Sequence, residues 1–277
     1  MRPFSDYDSY IFDLYGTLVD IRTDEEAAAF WKRIAAWYAA YGADWRPAEL
    51  KARYRAAVEE EETRLRAERG SAWPEIRLET VFMRLLKEAP RSHPAALRPE
   101  GEAAERAWLT ATAAVFRGCS RQRMKPIPGA AALLNALRAR GKRVYLLSNA
   151  QAVFTLPELE QCGLSGRFDG VAISSDYGTK KPEPAFLAAL MEREGLTARE
   201  SVMIGNDWRS DMAVAAACGV AGIWINSDHL TPERRQAERQ DIAARFGPAA
   251  AADIGETGRL SDLLKALSAQ DERRKRK

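Results

Sequence analysis

Tyr10-Ile11-Phe12-Asp13-Leu14-Tyr15-Gly16-Thr17-Leu18 is the stretch on which the fold turns. An apolar run, Tyr10 to Phe12, stops at an acid, and Gly16-Thr17 follow. A short apolar run bounded by turn residues reads as a buried strand feeding a turn. Beyond it the texture changes. From residue 23 to residue 117, alanine, glutamate, arginine and tryptophan dominate and strand-like runs vanish. Phe30, Trp31, Ile34, Trp37, Tyr38 and Tyr41 recur at helical spacing, with Thr23 or Asp24 available as N-cap. Residues 49–69, 75–86 and 103–116 read as three further helices.

After Pro126-Ile127-Pro128-Gly129 the pattern alternates again. Helices are expected at 130–140, 184–194 and 211–218, and strands at 144–147, 170–174, 201–204 and 222–226, the last taken as the final strand. Strands alternating with helices imply an α/β fold with a doubly wound, Rossmann-like parallel sheet. The helical block then reads as a second, smaller cap domain, 23–117, inserted into a core of 1–22 and 118–277.

Composition supports a globular chain. Of 277 residues, 46% are hydrophobic, enough for a sizeable core. A net charge of +3 is too small to argue for nucleic acid, and part of it sits in the basic stretch 272–277, which reads as a solvated terminus. Cys119, Cys162 and Cys218 lack the spacing of a disulfide framework or zinc site. His93 and His229 lack metal-ligand spacing. No secretion signal opens the sequence, and no run approaches the roughly 18 apolar residues of a membrane span. A cytoplasmic monomer or homodimer acting on a small molecule is expected, without membrane or nucleic-acid partners.

Polar residues recur where the apolar strands stop: Asp13, Ser148 and Asp207. In open parallel sheets that edge is where ligands bind, so three such residues can converge on one site.

These segments carry a resemblance. Asp13-Leu14-Tyr15-Gly16-Thr17-Leu18 resembles the first motif of the haloacid dehalogenase-like superfamily, DxDGTL, with tyrosine at its third position. Leu146-Leu147-Ser148-Asn149 resembles its second motif, Lys181-Pro182-Glu183-Pro184 its third, and Gly205-Asn206-Asp207-Trp208-Arg209-Ser210-Asp211 its acidic fourth. Four motifs in order make the signal specific. It covers about residues 8–20 and 125–226, and only loosely the helical insert.

The resemblance implies that Asp13 attacks the substrate, forming a covalent ester or acyl-phosphate. Thr17 and Ser148 would donate hydrogen bonds to the nucleophile and the transferring group. Lys181, favoured over Lys180 by the proline after it, would offset the crowd of carboxylates. Asp13, the carbonyl of Tyr15, Asp207 and Asp211 would hold Mg²⁺, which suits hard oxygen ligands. Tyr15 and Asn149 are the substrate-facing candidates, although Asn149 also fits turn chemistry. The substrate would be small and anionic.

Two departures matter. Phosphatases of the superfamily carry a second aspartate where Tyr15 stands. A tyrosine, with an ordinary pKa of about 10, is a poor base near neutrality. The 2-haloacid dehalogenases of the superfamily do carry tyrosine there, since halide needs no proton. Their tyrosine six residues after the motif-three lysine corresponds here to Leu187, and their cap arginine has only Arg33 as a candidate. In the fourth motif either Asn206 or Asp207 can be the first acidic position, and the anion favours Asp207 as metal ligand. The resemblance therefore implies a Mg²⁺-dependent phosphatase. A 2-haloacid dehalogenase and a weakly catalytic binding protein are the alternatives.

Overall fold

The computed structural model describes residues 2–90, 98–227 and 229–275. His93 and the last two residues of the basic tail lie outside these. The chain runs from β1 (Ser9–Phe12) through a tight turn into β2 (Val19–Thr23). Four helices follow: α1 (Ala28–Ala39), α2 (Pro47–Arg69), α3 (Leu78–Glu88) and α4 (Glu102–Ser120). The return is β3 (Arg121–Pro126), then α5 (Ala130–Arg138), β4 (Arg143–Ser148), α6 (Ala152–Gln161), β5 (Gly170–Ile173), α7 (Ser174–Tyr177), α8 (Pro184–Glu194) and β6 (Ser201–Gly205). A wide helical turn at Trp208–Met212 leads into α9 (Ala213–Ala217) and β7 (Ala221–Ile225). The chain finishes with α10 (Pro232–Phe246), α11 (Pro248–Ala252), β8 (Ile254–Thr257) and α12 (Leu260–Lys275).

Six strands form one sheet in the order β5-β4-β1-β6-β7-β8, all parallel. β1 lies inside it, and all four of its residues are buried. Its alternation splits the core. Tyr10 and Phe12 face one side with Leu133, Leu137 and Leu263 of α5 and α12. Ile11 faces the other with Phe186, Leu190 and Trp224. Burial on both faces is why these strands read as continuous apolar runs. Each large side chain so buried contributes about 1.5–3 kcal/mol.

The insert has a core of its own. Phe116 of α4 is its hub, with ring centroids at 4.9 Å from Phe30, 5.1 Å from Phe82 and 5.5 Å from Tyr54. Phe154 of α6 stacks on it at 6.1 Å, so the sheet layer supplies one ring to the cap cluster.

Several elements differ from the sequence expectation. The sheet has a sixth strand, β8, where 222–226 was expected to be last. Only Ile254 of β8 is buried, so this edge strand carries no apolar run. β2 and β3 pair antiparallel at the root of the insert. Arg121-Gln122-Arg123-Met124-Lys125-Pro126 is too polar to announce a strand. Neither Thr23 nor Asp24 caps α1. Thr23 belongs to β2, and Ala27 holds the cap position, with Asp24 Oδ1 accepting from the amides of Glu26 and Ala27. The third helix starts at Leu78 rather than Glu75, because Pro74 forms a bridge with Thr179 across to the sheet layer. No helix of the described residues is long and apolar enough to cross a membrane.

Replacing the hub tests whether the insert depends on one cluster. Phe116→Ala is expected to cost about 3–5 kcal/mol, read as a shift of the urea midpoint. A change under about 1 kcal/mol would show that the cap packs without it.

Candidate active site

Each strand that meets β1 delivers a polar residue at its C-terminal end. The Asp13 amide donates to the carbonyl of Ile204 at 2.9 Å, which carries the strand pairing one residue past β1 and fixes where the carboxylate stands. Asp13 is 7% exposed. Lys181, from the loop between α7 and α8, reaches it from the side. Its Nζ donates to Asp13 Oδ1 at 2.7 Å, to Asp211 Oδ1 at 2.7 Å and to the carbonyl of Leu147 at 2.8 Å. All three ammonium hydrogens are therefore used, as a buried cation requires. Asp211 is anchored again through Oδ2, which accepts from the amide of Asp207 at 3.0 Å.

The electrostatics follow from one cation shared by two carboxylates. Burial works to lower the Lys181 pKa, but the charges of Asp13 and Asp211, with their hydrogen bonds, outweigh it and raise it. Burial pushes the Asp211 carboxyl up to about 7, with the charge of Asp13 adding to the rise and Lys181 opposing it. The ammonium keeps its proton, and the surplus negative charge is felt at Asp211.

The backbone geometry has a steric side. Gly16 has φ +87°, a conformation natural to glycine. A Cβ there would fall 2.5 Å from Asn206 Nδ2. At Gly205 a Cβ would fall 2.2 Å from Asp211 Oδ2. Both positions require the absence of a side chain.

The remaining sequence candidates divide. Thr17 is fully buried and donates through Oγ1 to Asn206 Oδ1 at 3.1 Å. Ser148 is fully buried at the end of β4, and its Oγ has no hydrogen-bond partner within the protein. An unpartnered buried hydroxyl is unusual enough to need a reason. Asn149, expected to face substrate, lines the cavity with Asp13 and Lys181 and also clamps the Lys181 backbone: its Oδ1 accepts from Lys181 N at 2.8 Å, and its Nδ2 donates to Lys181 O at 2.9 Å.

Tyr15, the other substrate-facing candidate, lines the cavity that holds Asp13 and Lys181. Its hydroxyl donates to Glu158 Oε2 and lies 3.2 Å from Thr155 Oγ1, both on α6. Burial raises its pKa, and the neighbouring charge of Glu158 raises it further. Glu158 is 2% exposed and is held from the cap side by Arg117, whose Nε donates at 2.8 Å and whose second nitrogen donates at 3.2 Å. Sequence reading missed both Glu158 and Arg117. Arg117 lies in a highly charged insert, and Glu158 in a Pro-containing helix that was not anticipated.

The fourth motif offers two neighbouring candidates. Asp207, expected to bind metal, is exposed and lines the same cavity as Asp13 and Asp211, and its Oδ1 accepts from the amide of Arg209 at 2.7 Å. It is the N-cap of the wide turn. Asn206 is the residue that faces Thr17 and Gly16. Among the described residues no three Asp, Glu, His or Cys side chains form a ready metal cluster. The donor chemistry nevertheless suits Mg²⁺ in kind. Carboxylates from Asp13 and Asp211 and the amide oxygen of Asn206 are hard ligands, and these residues line one cavity of about 460 Å³ together with Tyr15 and Lys181.

Comparison with known proteins shows the family and the fold. A family model described as haloacid dehalogenase-like hydrolase matches residues 7–219. The phosphoserine phosphatase of Thermus thermophilus is 32% identical over 167 residues, 60% of this chain and 61% of that protein. The glyceraldehyde 3-phosphate phosphatase of Methanothermobacter thermautotrophicus is 28% identical over 119 residues, 43% of this chain and 53% of that protein. The chain thus spans between 53% and 61% of the length of these two relatives. A 2-haloacid dehalogenase from Pseudomonas syringae pv. Tomato DC3000 superposes with a TM-score of 0.60 over 95% of this chain and 99% of that one, at 19% identity, which speaks to the fold alone.

The glycine requirement is testable by contrast. Gly205→Ala drives a methyl into the Asp211 carboxyl and is expected to cost about 1–3 kcal/mol. Gly118→Ala, exposed on α4 with nothing within 4 Å of its Cβ, is expected to add about 0.5–1 kcal/mol. Urea denaturation of both variants checks the signs. Equal effects would mean that Asp211 yields freely.

Proposed function

The chain belongs to the haloacid dehalogenase-like hydrolases, and from that premise we propose that it is a Mg²⁺-dependent phosphatase of a small phosphorylated metabolite with Asp13 as nucleophile. The observation that carries the proposal is the Lys181 bridge between Asp13 and Asp211. It aims a carboxylate into the cavity while holding its charge in check, which is what a weak nucleophile approaching an anion needs. The curated phosphatase relatives support the substrate class.

In this reading an Asp13 oxygen attacks phosphorus in line, and the ester oxygen departs with its bonding electrons. Water then attacks the phosphorus of the aspartyl-phosphate, returning the carboxylate and releasing phosphate. The Ser148 hydroxyl, without a protein partner, donates to the transferring group. Thr17 holds Asn206 in place. Mg²⁺, when bound, would be held by Asp13, Asn206, Asp211 and the carbonyl of Tyr15, and would supply positive charge against the phosphoryl oxygens. Asn149 is a positioning residue, since it sets the backbone of Lys181. Residues 23–117 form the cap over a core of 1–22 and 118–277.

Tyr15 limits the chemistry. Its hydroxyl is committed to Glu158, so it does not protonate a leaving group. Substrates whose leaving group departs as a stable anion are favoured. The same tyrosine, together with an uncharged Asn206, favours a second reading, dehalogenation of 2-haloacids, because halide leaves without a proton.

Three outcomes are expected. Asp13→Asn abolishes turnover with an unchanged melting profile; near wild-type rates, in protein checked by mass for deamidation, would refute the nucleophile. Phosphate release from activated phosphate esters stops with chelator and returns with Mg²⁺. Halide release from 2-haloacids that is indifferent to chelator would select the second reading. Asn206→Asp, which adds an anion to the donor set, lowers the Mg²⁺ concentration for half-maximal rate; an unchanged Mg²⁺ titration would remove Asn206 from the site.

A further inference from the structure

Trp73 is 46% exposed, one of two large hydrophobic residues so exposed among the described residues. The other, Leu156, lies on α6 beside a separate hollow formed with Phe168 and Val171. Trp73 instead lines the cavity that contains Asp13 and Lys181. It also lines an adjoining one of about 390 Å³ with Pro182 and Arg209. It is therefore shared by the two hollows.

Its backbone is not loose. The Trp73 carbonyl accepts from the amide of Lys180 at 3.1 Å and from Thr179 Oγ1 at 3.2 Å. Its amide donates to Ser71 Oγ at 3.1 Å, and Ser71 Oγ donates to Glu183 Oε2 at 2.9 Å. Pro74 bridges Thr179, and the Glu75 amide donates to the carbonyl of Gly178 at 3.2 Å. This short cap loop is thus fastened to the segment that carries Lys181. The indole on this firmly held loop is left half exposed at the cavity.

We propose that the Trp73 indole is a stacking platform for the leaving group, and that the substrate is a phosphate monoester of an aromatic hydroxyl. This rests on the phosphatase reading above. Two independent observations converge on the class. Lys180, Lys181 and Arg209 line the cavity with Trp73 and with the carboxylates of Asp13, Asp207 and Asp211; with Mg²⁺ offsetting those carboxylates in the phosphatase reading, the occupant pairs an anionic group with a flat apolar one. The Tyr15 hydroxyl is bound to Glu158, so the site favours alcohols that leave as stabilised anions, as phenols do. A ring on Trp73 and a good leaving group are then two aspects of one molecule.

The test separates the platform from the chemistry. Calorimetry on the full chain measures the binding of phenylphosphonate and methylphosphonate, which cannot turn over. Wild type is expected to prefer the phenyl compound by roughly fivefold or more, Trp73→Ala to bring the two within about twofold, and Trp73→Phe to keep most of the preference. No ring preference in wild type, or a preference that survives Trp73→Ala, overturns the proposal. In parallel, Trp73→Ala should lower the ratio of kcat/KM for 4-nitrophenyl phosphate to that for acetyl phosphate by about the same factor. An equal fall on both substrates also overturns it. Absence of all phosphate release refutes the phosphatase reading instead, and leaves the phosphonate comparison to decide the platform.

Discussion

A lysine ammonium with almost no exposed surface lies between two carboxylates, and much of the site is arranged around it. Removing a charge from water costs several kcal/mol even after relaxation, and the cost is met only by close partners in good geometry. Lys181 has three such partners, from three strand ends: Asp13 after β1, the Leu147 carbonyl in β4 and Asp211 beyond β6. The registers β1–β4 and β1–β6 set those partners relative to one another. Asn149 then fixes the lysine's own backbone at both its amide and its carbonyl. Gly205 gives the Asp211 carboxyl the room it occupies. In the proposed mechanism the same constraint serves function, since a carboxylate relieved of part of its repulsion can approach an anionic substrate.

A second buried charge joins the insert to the sheet layer. Glu158 on α6 receives Arg117 from the last turn of α4 and the Tyr15 hydroxyl from the first motif. Arg117 also lies 5.0 Å over the ring of Phe154, which stacks on the insert's hub, Phe116. The root of the cap and the motif-one loop therefore share one cluster. This accounts for a bulky tyrosine at a position beside the nucleophile: its hydroxyl has a structural partner outside the reacting space. In the proposed mechanism this narrows the chemistry at Asp13 toward groups that leave without an added proton.

Much of this was legible in the sequence because the informative residues are local. The runs ending at Asp13 and Ser148 are apolar on both faces, which identifies inner parallel strands, and the polar residue at each end marks the ligand edge. What stayed hidden depends on the direction a side chain takes after the strand stops. Asn206 and Asp207 are adjacent, and charge alone favoured Asp207. The turn sends the asparagine to Thr17 and leaves the aspartate capping Arg209. Asn149 was ambiguous between ligand and turn for the same reason. β8 and the β2–β3 pair were silent because an edge strand and a two-stranded ribbon bury too little to impose an apolar pattern. The Glu158 cluster joins residues about 40 and 143 positions apart, a separation that no local motif encodes.

The account stands on Asp13 forming a covalent bond to the group it transfers. The most direct measurement is an acid quench of the full chain during turnover of acetyl [³²P]phosphate with Mg²⁺, followed by peptide mapping. The account predicts an acid-stable, hydroxylamine-labile label on the peptide containing Asp13. Phosphate release with no labelled protein, or with the label on another residue, would contradict it.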